Sequence, residues 1–283
     1  MPHSIEPGHG GIDAVTLSNA SGSTTISLLG ATLIDWTPAD GEAVIWLSSE
    51  AVFREGKGIR GGIPICWPWF GAHTERADFP QHGFARSCMW DLAAVEESDD
   101  GSTCARFSLS MAPDELWPHA SSLEFCVTLG ETLRCELITR NLDQQPFLIT
   151  QALHTYFNIT DISNVSVSGL DGRRYLDKPD GFAEKHQEGA ITFASEVDRV
   201  YLDTDDVCRI EDAGMGRNII IDKVGSRSTV VWNPWVENAM KMADMPDDGY
   251  RTMVCVETTN AASDGVTLQP GESHSMLAEY RVI

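Results

Sequence analysis

The 283-residue chain has no C-x-x-C pair, and its seven cysteines, at positions 66, 88, 104, 126, 135, 208 and 255, are odd in number. That pattern fits reduced thiols in a cytoplasmic protein better than a disulfide framework. Cationic side chains are scarce, with 20 Lys and Arg against 42 Asp and Glu, and the net charge of -22 is spread along the chain. Nucleic acid and anionic membrane surfaces are therefore disfavoured as partners. No apolar run is long enough to span a bilayer, and the start "MPHSIEPGHGGIDAV" lacks the cationic head and continuous apolar segment of a signal peptide. Linker-like stretches, blocks of like charge and short repeats are also missing, so a single domain over residues 1–283 is expected.

Nucleotide-binding signals fail on inspection. "GKGIRG" at 56–61 has the spacing G-x-G-x-x-G, but a dinucleotide loop needs a strand before it and a helix after it, whose N-terminus holds the pyrophosphate. Gly62, Pro64 and Pro68, with Ile63 and Ile65 between them, forbid that helix. No Gly-Lys-Ser or Gly-Lys-Thr occurs either. What remains is a glycine-rich loop with Lys57 and Arg60, followed by a rigid stretch holding Trp67, Trp69 and Phe70. It reads either as a cradle for a small polar ligand with an anionic end or as a packed aromatic loop with two surface cations. Arg86 would join Lys57 and Arg60 in a local cationic cluster if the fold brings it near.

The dominant periodicity is two. Leu123, Phe125, Val127 and Leu129 alternate with polar or small neighbours, and after "GET" the run "LRCELITRN" repeats the pattern, which predicts an antiparallel hairpin. "TTISLLGATLIDW", "AVIWLS", "NVSVSGL", "RNIIIDKV", "STVVWNPW", "MVCVETT" and "SHSMLAEYRVI" read as further strands, and "DDGYRTM" and "PWVENAMKMADM" as short helical turns. A dozen or more strands in one chain imply two large packed sheets.

Two histidines and one carboxylate stand out from polar surroundings. His154 in "ITQALHTYFNI" is flanked by residues that would bury it, and His82 lies in "QHGFAR". A buried imidazole is either a general acid or base near neutral pH or a core histidine satisfied by a carbonyl. Glu257 falls on the apolar strand "MVCVETTN", where a carboxylate is costly unless paired or functional. Asp198 in "SEVDRVYLD" is a weaker candidate that could equally be a turn residue. No cluster has metal-ligand spacing, so no metal is expected, and no G-x-S-x-G elbow occurs. One His, one Glu, loop arginines and an aromatic floor suit acid–base chemistry on a small polyhydroxylated ligand.

With these residues in place the chain resembles the hexose-6-phosphate mutarotases, or glucose-6-phosphate 1-epimerases, of the aldose 1-epimerase superfamily. "GKGIRGGIPICWPWFG", "QHGFAR", "LHTYF", "VDRVYLDT", "TVVWNPW" and "MVCVETTN" carry the likeness in that order. The resemblance implies a large antiparallel β-sandwich of the galactose mutarotase kind, with a sugar cleft on one sheet and no cofactor. It implies His154 as the acid at the ring oxygen, starting as imidazolium, and Glu257 as the base at O1, starting ionised. Arg60, Gln81, His82, Arg86 and Asp198 match substrate-binding positions, with Arg60 and Arg86 on the phosphate and Lys57 adding longer-range attraction. On this reading the loop glycines let the backbone approach a sugar phosphate, and a monomer in the cytoplasm is the expected working form. An epimerase of free sugars and a non-catalytic carbohydrate-binding sandwich are the alternatives.

Overall fold

The computed structural model describes residues 3–283. The alternation seen in the sequence becomes strands whose odd and even residues face opposite sides. Across Ser121–Leu129 buried and half-buried residues alternate without interruption, and the strand pairs with Leu133–Asn141 in antiparallel register, Phe125 opposite Leu137. This hairpin lies inside a nine-stranded sheet, which packs against an eight-stranded one. Smaller sheets of four and two strands complete the described residues. All named strand pairs are antiparallel, so the expected all-β sandwich is present. One apolar cluster joins the sheets: Leu123, Phe125 and Val127 from the larger, Val231, Val254 and Val256 from the smaller, and Val15, Ile26 and Leu33 from the four-stranded sheet. Burying each such side chain contributes roughly 1.5–3 kcal/mol, and slipping any strand by one residue would turn that set to the wrong face.

Two strand expectations need correction. "TTISLLGATLIDW" folds as two strands, Gly22–Ser27 and Thr32–Pro38, turned back on each other at Gly30, whose φ of +70° suits a residue without Cβ. "AVIWLS" makes only single bridges, Ile45 to Phe157 and Leu47 to Gly61, because it runs between two different partners and follows neither. The expected helical turns are present as Trp235–Ala239 and Gly249–Thr252.

The eight-stranded sheet builds the site through its register. Val197–Tyr201, Ser228–Asn233 and Met253–Asn260 lie side by side, with Asp198 opposite Trp232 and Trp232 opposite Cys255. Gln151–Leu153 and Tyr156–Asn158 both pair with the last of these, Leu153 opposite Thr258 and Tyr156 opposite Cys255. The interruption between them is His154 and Thr155, and the unbroken register puts His154 opposite Glu257. Alternation then places Val254 and Val256 in the central core and Cys255 and Glu257 on the other face.

Candidate active site

His154 is held where the strand breaks: its own N–H donates to the Pro64 carbonyl at 3.0 Å, and its ring stacks on Tyr156 at 4.9 Å and meets the edge of Trp232 at 5.7 Å. Its Nε2 lies 3.5 Å from Glu257 Oε1. Both side chains are buried, and His154 Nδ1 and Glu257 Oε2 have no hydrogen-bond partner in the protein. Buried polar atoms left open are uncommon away from functional sites. These groups line a cleft of about 930 Å³, which also takes in Arg60, Gln81, His82, Arg86, Lys178, Asp198 and Trp232.

The electrostatics of the pair bear on where its proton sits. Burial, then the charge of Asp198, pushes the Glu257 carboxyl well above its usual range, with Lys178 and Arg86 opposing. Burial also pushes His154 well below its usual value, helped by His82, Arg86 and Arg60. Without substrate, burial therefore favours the arrangement in which the proton shared by the pair sits on Glu257 and the imidazole is neutral, whereas the resemblance implies an ionised carboxylate and an imidazolium at the start of catalysis. A low-dielectric site favours the neutral arrangement because neither charge is hydrated there.

The other sequence candidates divide clearly. His82, far from His154 in the chain, comes within 5.6 Å of it between ring centroids. The Gly71 N–H donates to His82 Nδ1 at 3.2 Å, which fixes the proton of the neutral ring on Nε2. Burial and the nearby cations, Arg86 first, keep that ring neutral. The backbone of His82 is left-handed, and Gly83 after it touches the Trp67 carbonyl so closely that a Cβ there would stand 1.9 Å from the oxygen. Asp198 accepts from Lys178 Nζ at 2.6 Å, so it is an ion-paired cleft residue and no turn residue. Arg86 donates to the Gln81 carbonyl at 2.8 Å, which ties two candidates together. Arg60 donates through Nε to Asp244 Oδ1 at 3.0 Å and through a terminal nitrogen to the Tyr156 hydroxyl at 3.1 Å. Lys57 does not line the cleft; it reaches Asp244 from outside, at 3.5 Å. Although burial opposes it, Arg60 and Lys57 hold the Asp244 carboxyl below its usual range.

Three of the loop glycines serve contacts within the protein where the sequence reading had them approach a sugar phosphate. Gly61 and Gly62 have φ of +104° and +74°, and their missing Cβ atoms make room for the Trp46 and Leu33 carbonyls of the protein itself, not for a ligand. Gly58 makes room for the Arg86 side chain, since a Cβ would lie 3.0 Å from its Cδ. The aromatic floor also differs from expectation. Trp67 is wholly buried against Phe84 and Trp117, and Trp69 is buried with its Nε1 donating to the Pro80 carbonyl. Phe70 and Trp232 are the aromatic faces on the cleft, with Phe182 at its rim. Sequence reasoning missed Lys178, Tyr156 and Asp244. Only Tyr156 carried a signal, two residues from His154 on the same strand face.

Residues 13–281 match the aldose 1-epimerase family. The chain belongs to that family. A family member from Escherichia coli, provisionally named a glucose-6-phosphate 1-epimerase, is 39% identical over 254 residues, covering 89% of this chain and 84% of its own. The crystal structure of a protein from Salmonella typhimurium, provisionally titled a mutarotase, superposes with a TM-score of 0.88 at 36% identity, covering 96% of this chain and 90% of the other. A galactose mutarotase-like protein of Clostridium acetobutylicum shares the fold with a TM-score of 0.76 at 13% identity, over 99% and 98% of the two chains. The fold thus persists at low sequence identity, as expected when a sandwich core tolerates any apolar residue of suitable size.

Proposed function

We propose that this protein interconverts the α and β anomers of a hexose 6-phosphate, glucose 6-phosphate in particular, with His154 and Glu257 as the proton-transfer pair. The observation that carries the reading is one imidazole and one carboxyl 3.5 Å apart on the floor of a cleft that also holds two arginines. The name of the E. coli relative, which specifies the phosphorylated sugar, supports it.

Ring opening removes the O1 proton, breaks the C1–O5 bond with its electron pair going to O5, and delivers a proton to O5. The pair needs one acceptor and one donor, and a single shared proton supplies both. Binding of substrate moves that proton to the useful place. A sugar hydroxyl donating to Glu257 favours its ionised form, and a phosphate dianion on Arg60 and Arg86 neutralises two of the charges that hold His154 neutral. Glu257 then accepts the O1 proton and the His154 imidazolium gives its proton to O5. The open aldehyde rotates about C1–C2 and recloses with the roles reversed. Each transfer typically contributes ~10²–10⁴ in rate. His82 Nε2–H donates to a sugar oxygen beside the anomeric centre, Asp198 and Gln81 take ring hydroxyls, and Phe70 and Trp232 face the C–H surfaces. Charge-assisted bonds from the arginines select the phosphorylated sugar, and Lys57 acts through its hold on Asp244.

No cofactor enters this chemistry. Among the described residues no helix is long and apolar enough to cross a membrane. All seven cysteines are free, which supports a reducing, cytoplasmic setting. The test is anomer exchange by NMR on glucose 6-phosphate and on glucose. Glu257→Gln and His154→Ala should each lose at least ~10² in exchange with the circular dichroism spectrum retained. Near-normal exchange in either variant refutes the pair, and equal turnover of the two sugars refutes phosphate selection.

A further inference from the structure

We propose that His154, Cys255 and Glu257 also form a binding site for a thiophilic divalent cation of the zinc class, whose occupancy closes the cleft to the sugar. No spacing along the chain suggests it, and the sequence reading expected no metal. The sheet register creates it: Cys255 and Glu257 share one face of Met253–Asn260, and His154 stands opposite Glu257. One sulfur, one imidazole nitrogen and one carboxylate oxygen, one from each residue, lie within 4.8 Å of one another. The nitrogen–oxygen separation is 3.5 Å. In a tetrahedral zinc site with bonds of ~2.0–2.3 Å, ligand atoms stand about 3.3–3.8 Å apart, so the nitrogen–oxygen edge already has the right length, and the sulfur, within 4.8 Å of both, has to draw in around the ion.

A second observation points the same way. Glu257 Oε2 is buried with no partner, an open lone-pair donor in a residue only 1% exposed. A dication taken by both oxygens of the carboxylate, Oε1 on the side of His154 and Oε2 beside it, would give Oε2 what the protein withholds. The thiolate and carboxylate together would neutralise the ion, so no net charge would be left in the interior. Binding sends two protons to solvent, the thiol proton of Cys255 and the one that Glu257 carries in the empty site, and changes no oxidation state. The mixed sulfur, nitrogen and oxygen set suits Zn²⁺ or Co²⁺ and disfavours Mg²⁺, which prefers oxygen alone. Three protein ligands leave the fourth position to water from the cleft. The site therefore engages both groups that the proposed reaction needs for proton transfer, and the metal and the sugar exclude each other. The inhibitory half of this inference rests on the proposed mutarotase function; the binding half does not.

The experiment titrates reduced, chelator-treated protein with Zn²⁺ by calorimetry and with Co²⁺ by absorbance, and follows anomer exchange in parallel. One equivalent should bind, with a near-ultraviolet thiolate-to-cobalt band. Cys255→Ser should lose the band and weaken zinc by more than the ~10–100-fold cost of losing a group one shell further out. Exchange by the natural protein should fall with Zn²⁺, return with EDTA and ignore Mg²⁺, whereas Cys255→Ser should keep metal-free exchange and resist zinc. Cys255→Ala serves the same purpose if serine disturbs the core. Unchanged zinc binding in both variants, or no saturable binding in the micromolar range, overturns the site. Stoichiometric binding through Cys255 without inhibition overturns the closure. A cobalt band in a protein with no exchange under any condition leaves the site standing and refutes the enzymatic reading instead.

Discussion

Asp244 is the residue through which the loop cations are held, and two substitutions separate its charge from its hydrogen bond. Asp244→Asn and Asp244→Ala both remove the negative charge, and with it any repulsion toward an incoming phosphate. Only the asparagine keeps a carbonyl oxygen that can accept from Arg60 Nε, now 3.0 Å from the carboxylate. In the alanine variant Arg60 retains the Tyr156 hydroxyl as its side-chain partner, and the guanidinium gains freedom that a bound phosphate must take away again. The difference between the variants is thus one hydrogen bond of the neutral kind, about 0.5–1.5 kcal/mol. A tenfold change corresponds to about 1.4 kcal/mol, so KM for glucose 6-phosphate should be roughly 2–10-fold higher in the alanine variant than in the asparagine variant. Turnover at saturation should be the same in both, because Asp244 touches neither His154 nor Glu257. With glucose the ratio of the two variants should be close to unity. The assay is anomer exchange at a series of concentrations of each sugar. A ratio of one for glucose 6-phosphate, or the same ratio for both sugars, would show that Asp244 does not position a phosphate ligand.

Further expectations concern protonation and packing. The ¹⁵N shifts of His154 in the protein without substrate should be those of a neutral imidazole at pH 6.5 and above, because burial, with His82, Arg86 and Arg60, depresses its basicity; an imidazolium signal at pH 7 would refute the shared-proton assignment. Lys223 is buried against the Ser228 carbonyl and the Thr229 hydroxyl, and burial lowers its pKa from 10.5 to about 8. Between those values the unfolded chain binds the extra proton, so the stability of the natural protein relative to Lys223→Met should rise with pH by roughly 3 kcal/mol across this window; a flat difference in denaturant titrations would show that the ammonium is not desolvated. Gly83→Ala should lower stability by more than about 1 kcal/mol and disturb His82, since its Cβ would meet the Trp67 carbonyl at φ +65°; an unchanged melting temperature would mean that the segment relaxes freely.

The hairpin at residues 121–141 was readable because its alternation is a direct image of burial on one face. "AVIWLS" has similar composition, but its partners are single residues on two sides, and nothing in a segment's own pattern reports what pairs with it. The aromatic loop failed for a related reason. Trp67 and Trp69 beside glycines and prolines look like a ligand surface, yet the cleft presents Phe70 and Trp232 while both tryptophans fill the space behind. The glycines there serve close approach of one chain segment to another, a demand that composition signals without naming the neighbour.

At the site, legibility followed cost. Glu257 and His154 were conspicuous because an ionisable group on an apolar strand is expensive unless something compensates it. Lys178 was invisible because it stands in a polar stretch where charge needs no explanation, and Asp244 because it sits in a connecting segment with no strand pattern around it. What no local pattern contained is the adjacency of the pair, which arises from an uninterrupted register across a broken strand: Leu153 opposite Thr258 and Tyr156 opposite Cys255 leave His154 only one place to be. The same geometry accounts for their protonation. Two groups that each sat alone in water would ionise independently, whereas two brought together in a dry floor share one proton and resist charge separation until a ligand supplies it. The arginines of the cleft depress His154 when empty and would be neutralised when a phosphate binds. Selectivity for the phosphorylated sugar should on that account appear partly in turnover and not in KM alone, and inorganic phosphite added with glucose should raise exchange above that of glucose by itself. Absence of any such activation, with phosphite shown to bind, would confine the arginines to holding the substrate and leave the proton shift to the sugar hydroxyls.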